Sequence, residues 1–191
     1  ITLNHTASGL TYFLNVRVYA NGVAFRYEFT NSATKNITAE SSSFILPDSS
    51  MVWSQNGTSV YEGVYSGTNI TAMADNTVMG PPVTIQLAGA NGFLALTEST
   101  LGMFGSPYLT KVADATGRNL QVTYPANQGG GTGVSTSGAV NTPWNVIKIG
   151  ADLNMLVNND IVESLAPPPD PTLFPDGPAT AWATTGRSVW D

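Results

Sequence analysis

One hairpin constrains this chain more than any other feature. Residues 10–20 alternate apolar and polar, Asn21-Gly22 interrupts them, and residues 23–29 alternate again. Period-two alternation on both sides of Asn-Gly specifies a pair of antiparallel strands, because Asn and Gly accept the positive φ angles of a type I′ turn. With Asn21 and Gly22 as the turn, Val18 faces Phe25, Val16 faces Tyr27 and Leu14 faces Phe29. That face is apolar on both strands, so it is expected to be the buried one. The other face carries Asn15, Arg17, Arg26 and Glu28. Arg17 then lies opposite Arg26, with Glu28 on the diagonal, which reads as a polar, partly covered outer face.

A lone hairpin is marginal in water and needs further strands. The sequence offers them at short intervals: Phe44-Ile45-Leu46, Val52-Trp53, Val60 to Tyr65, Val83 to Leu87, Phe93 to Thr97, Tyr108 to Val112, Leu120 to Tyr124 and Trp144 to Ile149. Turn residues separate them at Asn56-Gly57, Gly80-Pro81-Pro82, Asn91-Gly92 and Thr116-Gly117. Many short strands with such punctuation, and no fixed repeat, predict an all-β sandwich or barrel. Ala126 to Val140 is an uncharged Gly/Ser/Thr stretch expected to be a flexible loop. Leu153, Leu156, Val157, Ile161 and Leu165 have helical spacing, with a break expected at Asn158-Asn159. Six prolines then fall between Ala166 and Pro178, marking a stiff extended segment. The expected organisation is a β-sandwich over residues 1–166 and a Pro-rich linker over residues 167–191.

Composition removes several function classes. Charged residues are only 10 % of the chain and the net charge is −6, with seven Lys and Arg. A nucleic-acid reader needs a basic footprint that is absent here. An acidic chain also has little attraction to anionic membranes, and no apolar run reaches the ~18 residues of a membrane span. Cysteine is absent, which excludes disulfides, thiolate catalysis and Cys-ligated zinc. With one histidine, His5, read as a surface residue, a Ser-His-Asp triad is unsupported and acid–base chemistry falls to carboxylates. The first residues resemble neither a signal peptide nor a start methionine, so the chain is expected to be mature, processed or cut from something longer. Four Asn-x-Thr sequons, at Asn4, Asn36, Asn56 and Asn69, are candidate glycosylation sites of a secretory pathway.

Among the carboxylates Glu98 stands out. At the end of Gly92-Phe93-Leu94-Ala95-Leu96-Thr97-Glu98 it shares a strand face with Leu94 and Leu96. A carboxylate at the edge of an apolar face has to be neutralised, hydrogen-bonded or bound to a cation. The alternative is a strand-end Glu turned to solvent. Glu62, beside Gly63, is a weaker candidate of the same kind. Asp48, Asp75 and Asp114 sit beside turn residues and are expected to be solvated. Trp53, Trp144, Trp182 and Trp190 suit either sugar stacking or a sandwich core.

A set of segments, in order, carries a resemblance. They are Asn21-Gly22-Val23-Ala24-Phe25-Arg26-Tyr27, Tyr61-Glu62-Gly63-Val64-Tyr65, Pro82-Val83-Thr84-Ile85 and Leu94-Ala95-Leu96-Thr97-Glu98-Ser99. Thr142-Pro143-Trp144-Asn145-Val146-Ile147-Lys148-Ile149-Gly150, Asp152-Leu153 to Ala166-Pro167, and Gly186-Arg187-Ser188-Val189-Trp190-Asp191 complete it. From about residue 10 onward the chain resembles the N-terminal domain of glycoside hydrolase family 97, α-glycosidases of the α-glucosidase and α-galactosidase type. The resemblance implies a large sandwich of the galactose-mutarotase type, with one short helix near the C-terminus. It also implies a partner: a catalytic (β/α)8 barrel that follows the Gly-Arg-x-x-Trp-Asp segment and carries the acid and the base or nucleophile. This chain therefore lacks a complete active site by itself. The resemblance implies, finally, that a glutamate of the N-terminal domain ligates calcium, and the Leu-Thr-Glu segment makes Glu98 the match. The remaining calcium ligands would come from the barrel. The expected role is to shape a carbohydrate pocket in a secreted or extracellular enzyme, periplasmic in a bacterium. Two other readings stay open: a stand-alone carbohydrate-binding module, and a secreted structural or adhesion domain.

Overall fold

In the computed structural model the described residues are 1–56, 63–102, 104–124, 134–167 and 172. The strands are, in chain order, β1 (Thr2–His5), β2 (Leu10–Tyr19), β3 (Gly22–Phe29), β4 (Thr34–Ile37), β5 (Ser43–Ile45), β6 (Met51–Asn56) and β7 (Ser66–Asn69). They continue with β8 (Val78–Gln86), β9 (Phe93–Ser99), β10 (Tyr108–Val112), β11 (Asn119–Thr123), β12 (Val134–Ser137), β13 (Val140–Asn141) and β14 (Trp144–Gly150). Two short helices follow, α1 (Leu153–Val157) and α2 (Ile161–Leu165). The protein is all-β, as expected, with one large antiparallel sheet that folds back on itself and a small β12-β4 ribbon beside it.

The fold-back happens within β8. One edge of β8 pairs with β6 at both ends, from Met51↔Gln86 to Asn56↔Met79. The other edge is shared. Val83 to Gln86 pair with β9, whereas Val78 and Met79 pair with β10. Between the two lies Gly80-Pro81-Pro82, with a cis bond between the prolines. Proline offers no N–H to a ladder, so this stretch holds neither neighbour and the sheet forks there. One layer runs β9-β14-β3-β2-β1 and the other runs β10-β11-β5. Between them sits the main core, with Val52, Val83, Ile85 and Leu120 fully enclosed and Leu96, Leu109 and Val122 nearly so. Each such side chain is worth ~1.5–3 kcal/mol relative to exposure.

The hairpin forms, but in a different register. The turn residues are Ala20 and Asn21, and Tyr19 pairs with Gly22. Neither turn residue has positive φ, so the turn is not type I′. Gly22 is needed in the strand instead. A Cβ there would strike the Ile147 backbone carbonyl of β14 and lie 2.6 Å from Ile161 Cδ1. The glycine thus serves close approach rather than turn formation. The shift is two residues, so every side chain keeps its predicted face. Val18 now faces Val23 and Val16 faces Phe25, while Arg17 faces Ala24 instead of Arg26.

The predicted burial of that face is corrected. Val16 is 48 % exposed and Val18 77 %, whereas Ala24 and Trp144 on the opposite face are 0 % and 2 % exposed. The cause is a mismatch in width. The opposing layer ends at β5, so among the described residues no strand faces β2 near the turn, while α2 covers the other side with Ile161 and Leu165. Arg17 and Arg26 lie over the Trp144 ring at 5.0 and 4.5 Å. Burial, with Arg17 adding to it, lowers the pKa of Arg26, and Glu28 opposes the shift.

Other segments depart from expectation in places. Residues 63–65 are not strand, and the next strand is β7; residues 60–62 lie outside the described residues. Gly80-Pro81-Pro82 is internal to β8 rather than a turn. Within the expected loop, Val134–Ser137 pairs with β4, a strand that is also polar and uncalled for by pattern. The helical segment is broken as predicted, with Asp152 Oδ1 accepting from the Met155 N–H to cap α1. The first residues form β1 on the edge of β2. No helix among the described residues is long and apolar enough to cross a membrane.

Candidate functional site

The fork in β8 creates the site. Where β9 and β10 diverge, a narrow cleft opens between the layers, lined by Pro81, Thr97, Glu98, Pro107, Tyr108 and Asn145. Glu98 is the sixth of seven residues in β9, and its Cα partner on β14 is Asn145. The alternation that buries Leu96 at 2 % exposure points Glu98 inward as well. Glu98 Oε1 accepts a hydrogen bond from Ser106 Oγ at 2.8 Å. Burial raises the Glu98 pKa above the usual carboxylate value, and the Ser106 bond opposes this. No ion pair reaches Glu98 among the described residues.

A second carboxylate lies behind it. Glu40, just before β5, is only 8 % exposed. Its Oε1 accepts from Asn145 Nδ2 at 2.7 Å and its Oε2 from Tyr124 Oη at 2.8 Å. Asn145 therefore has Glu98 as its strand partner and Glu40 as its hydrogen-bond partner. Burial and the adjacent Glu40 push the Tyr124 hydroxyl far above its ordinary pKa, so it stays a donor. Glu40 also ties the two layers together, because Asn145 belongs to one and Tyr124 follows β11 of the other. The group comes from residues 40, 98, 124 and 145, with no local spacing to reveal it. The available signal was Glu40 itself, the sole charge in the stretch 38–46.

The remaining candidates separate from this cluster. Glu62 lies outside the described residues, as do Trp182 and Trp190. Trp144 is core and Trp53 is 41 % exposed. Two of the aspartates are paired rather than free: Asp75 with the buried Lys111 at 2.8 Å and Asp48 with Arg118 at 3.2 Å. Asp114 organises a turn, accepting from Thr116 and from the Gly117 N–H, and its pKa is lowered chiefly by the Thr116 hydroxyl. His5 is exposed, with Nδ1 2.7 Å from Ser8 Oγ. Of the sequon residues, Asn4 and Asn36 are exposed on β1 and β4. Asn69 accepts from both the N–H and the hydroxyl of Thr71. Asn56 ends β6, and the side chains of its sequon lie outside the described residues.

Calcium takes six to eight oxygen ligands. An inward carboxylate with a raised pKa and a hydroxyl neighbour is a fitting contributor. However, no group of three or more His, Cys, Asp or Glu residues able to hold a metal occurs among the described residues. Glu98 could supply one carboxylate and no more than a fraction of such a shell.

The likeness to known proteins agrees with this architecture. A family 97 glycoside hydrolase from Pseudoalteromonas sp. strain K8, solved in complex with acarbose, superimposes with a TM-score of 0.71 at 28 % identity. The match covers 84 % of this chain and 24 % of that one. The same figures hold for a variant of that enzyme in complex with panose. A β-arabinopyranosidase shares the fold at 19 % identity and a TM-score of 0.75, over 87 % of this chain and 29 % of that one. The chain thus spans about a quarter of the length of these enzymes. No curated protein matches this sequence. The model of the glycosyl-hydrolase 97 N-terminal family matches residues 1–168, and the chain belongs to that family.

Proposed function

We propose that this chain serves as the N-terminal domain of a secreted family 97 α-glycosidase. In this reading it packs against a catalytic (β/α)8 barrel, shapes the carbohydrate pocket and supplies Glu98 to a calcium ion. The supporting observation is Glu98 itself: a carboxylate turned into the interlayer cleft, with one oxygen held by Ser106 and no ion pair among the described residues. Calcium bound there would polarise a glycosidic or attacking oxygen; the acid and base would come from the barrel, as a carboxylate pair about 5–9.5 Å apart. This chain's own contribution is to hold the Glu98 carboxylate in place through Ser106. The sequons, the secretory location and the sugar substrate belong to the same proposal. The buried Trp144 argues against a sugar platform built on that tryptophan.

The test is a calcium titration of the barrel-containing enzyme and of residues 1–191, each with and without Glu98→Gln. The enzyme should lose calcium affinity and hydrolysis together in the variant, with added calcium restoring part of the rate. The chain alone should bind calcium weakly and hydrolyse no aryl α-glycoside. Hydrolysis by the chain alone, or an enzyme indifferent to Glu98→Gln, would overturn the reading.

A further inference from the structure

On the far side of Asn145 from Glu98 the molecule has a second, larger concavity. It is a groove of about 690 Å³ between the inner face of β2 and β3 and the segment from β4 to Ser41. That size lies within the ~300–1,000 Å³ typical of small-molecule sites. One wall is aromatic. Tyr12 stacks on Phe29 with centroids 5.3 Å apart and planes 19° apart, and Tyr27 leans against Tyr12 at 6.0 Å. The depth of the groove holds Glu40, whose two oxygens each accept one protein donor. A carboxylate has about four acceptor sites, so capacity remains for a donor from a ligand. Lys35, on the opposite wall, already donates to the Asn31 and Gly138 carbonyls. One cation spent on backbone and one buried carboxylate leave little net charge to attract phosphates or other anions.

We infer that this groove binds a short neutral saccharide, with the C–H face of a sugar ring against Tyr12 and a hydroxyl donating to Glu40. An aromatic wall with a few fixed polar groups suits a ligand that is apolar on its faces and rich in hydroxyls at its edges. The choice of saccharide among neutral polyhydroxyl ligands rests on the glycosidase reading above; the location of the site does not. It would hold substrate chains apart from the cleft at Glu98.

The experiment is an NMR titration of the 191-residue chain with α-gluco-, α-galacto- and β-xylo-oligosaccharides. At least one should bind with millimolar affinity and shift amides of β2, β3 and β4. Tyr12→Ala should weaken binding about tenfold, a stacking contribution of ordinary size. Because that variant also disturbs the ring pair, Thr38→Trp, exposed on the groove wall, should block binding without removing packed atoms. Glu98→Gln should leave it unchanged. Binding lost in Glu98→Gln and kept in Thr38→Trp would move the sugar to the cleft and overturn the groove assignment. So would a folded chain that binds none of the three classes. The calcium and hydrolysis test has separate readouts, calcium affinity and reaction rate, so either reading can fail without the other.

Discussion

The inner face of the long layer is mostly apolar, interrupted at Glu98 and Asn145, and its two ends differ. At β8 and β9, Val83 and Ile85 are wholly enclosed; at β2, Val16 and Val18 are 48 % and 77 % exposed. The side-chain chemistry is the same at both ends. What differs is the opposing layer, three strands wide against five. Alternation therefore decides which way a valine points, and the partner strand decides whether pointing inward removes it from water. Arg17 and Arg26 make the complementary point. Their face reads as polar and partly covered, and the cover is Trp144 together with the residues beneath α2.

The contrast can be broken by measurement. Trp144→Ala should be the most damaging change, costing about 4 kcal/mol in denaturant unfolding, because it empties the space under two arginines and beside α2. Ile85→Ala should cost ~3 kcal/mol at the enclosed end. Asp75→Asn, which leaves the buried Lys111 ammonium without its carboxylate, should cost about 1–2 kcal/mol, reduced because Asp75 is half exposed. Glu98→Gln without added calcium should be slightly stabilising at neutral pH. The folded-state pKa of Glu98 is raised, so the native protein loses stability as pH rises from the ordinary glutamate range through that raised value. The advantage of the glutamine should disappear below that range, where the wild-type carboxyl is protonated in both states. Val18→Ser should fall within ~0.5 kcal/mol of wild type. A cost near that of Ile85→Ala would mean that β2 is covered in solution, and the contrast would collapse.

Much of the fold was legible because it depends on short-range rules. Strands with apolar alternation, such as β9, β10, β11 and β14, fall within a residue or two of their predicted limits. The break at Asn158-Asn159 is local too. The strands that escaped, β1, β4, β7, β12 and β13, are two to four residues long and mostly polar, too short to display alternation, although Ile37, Val134 and Val140 join an apolar cluster with Phe104 in the fold. The register of the hairpin escaped for a different reason. Asn-Gly favours a turn through local backbone preference alone, whereas a side chain at Gly22 would collide with β14 and α2. That collision is visible only once the third strand is in place. Glu98 was legible because its neighbours on one strand face are apolar. Its companions Glu40, Tyr124 and Asn145 were not, because the fold assembles them across 84 and 105 residues of chain.

The fork in β8 has a genetic consequence. Met79, Val83 and Ile85 are all core residues and all odd-numbered, so the inward phase is carried unbroken through Gly80-Pro81-Pro82 from one layer to the other. The three residues act as a spacer: their prolines open the fork, and their number sets the phase beyond it. Inserting or deleting one residue there would turn Val83 and Ile85 outward while Met79 stayed in place. A two-residue change would preserve phase in both layers. Length variants of this spacer should therefore survive in even steps and fail in odd ones.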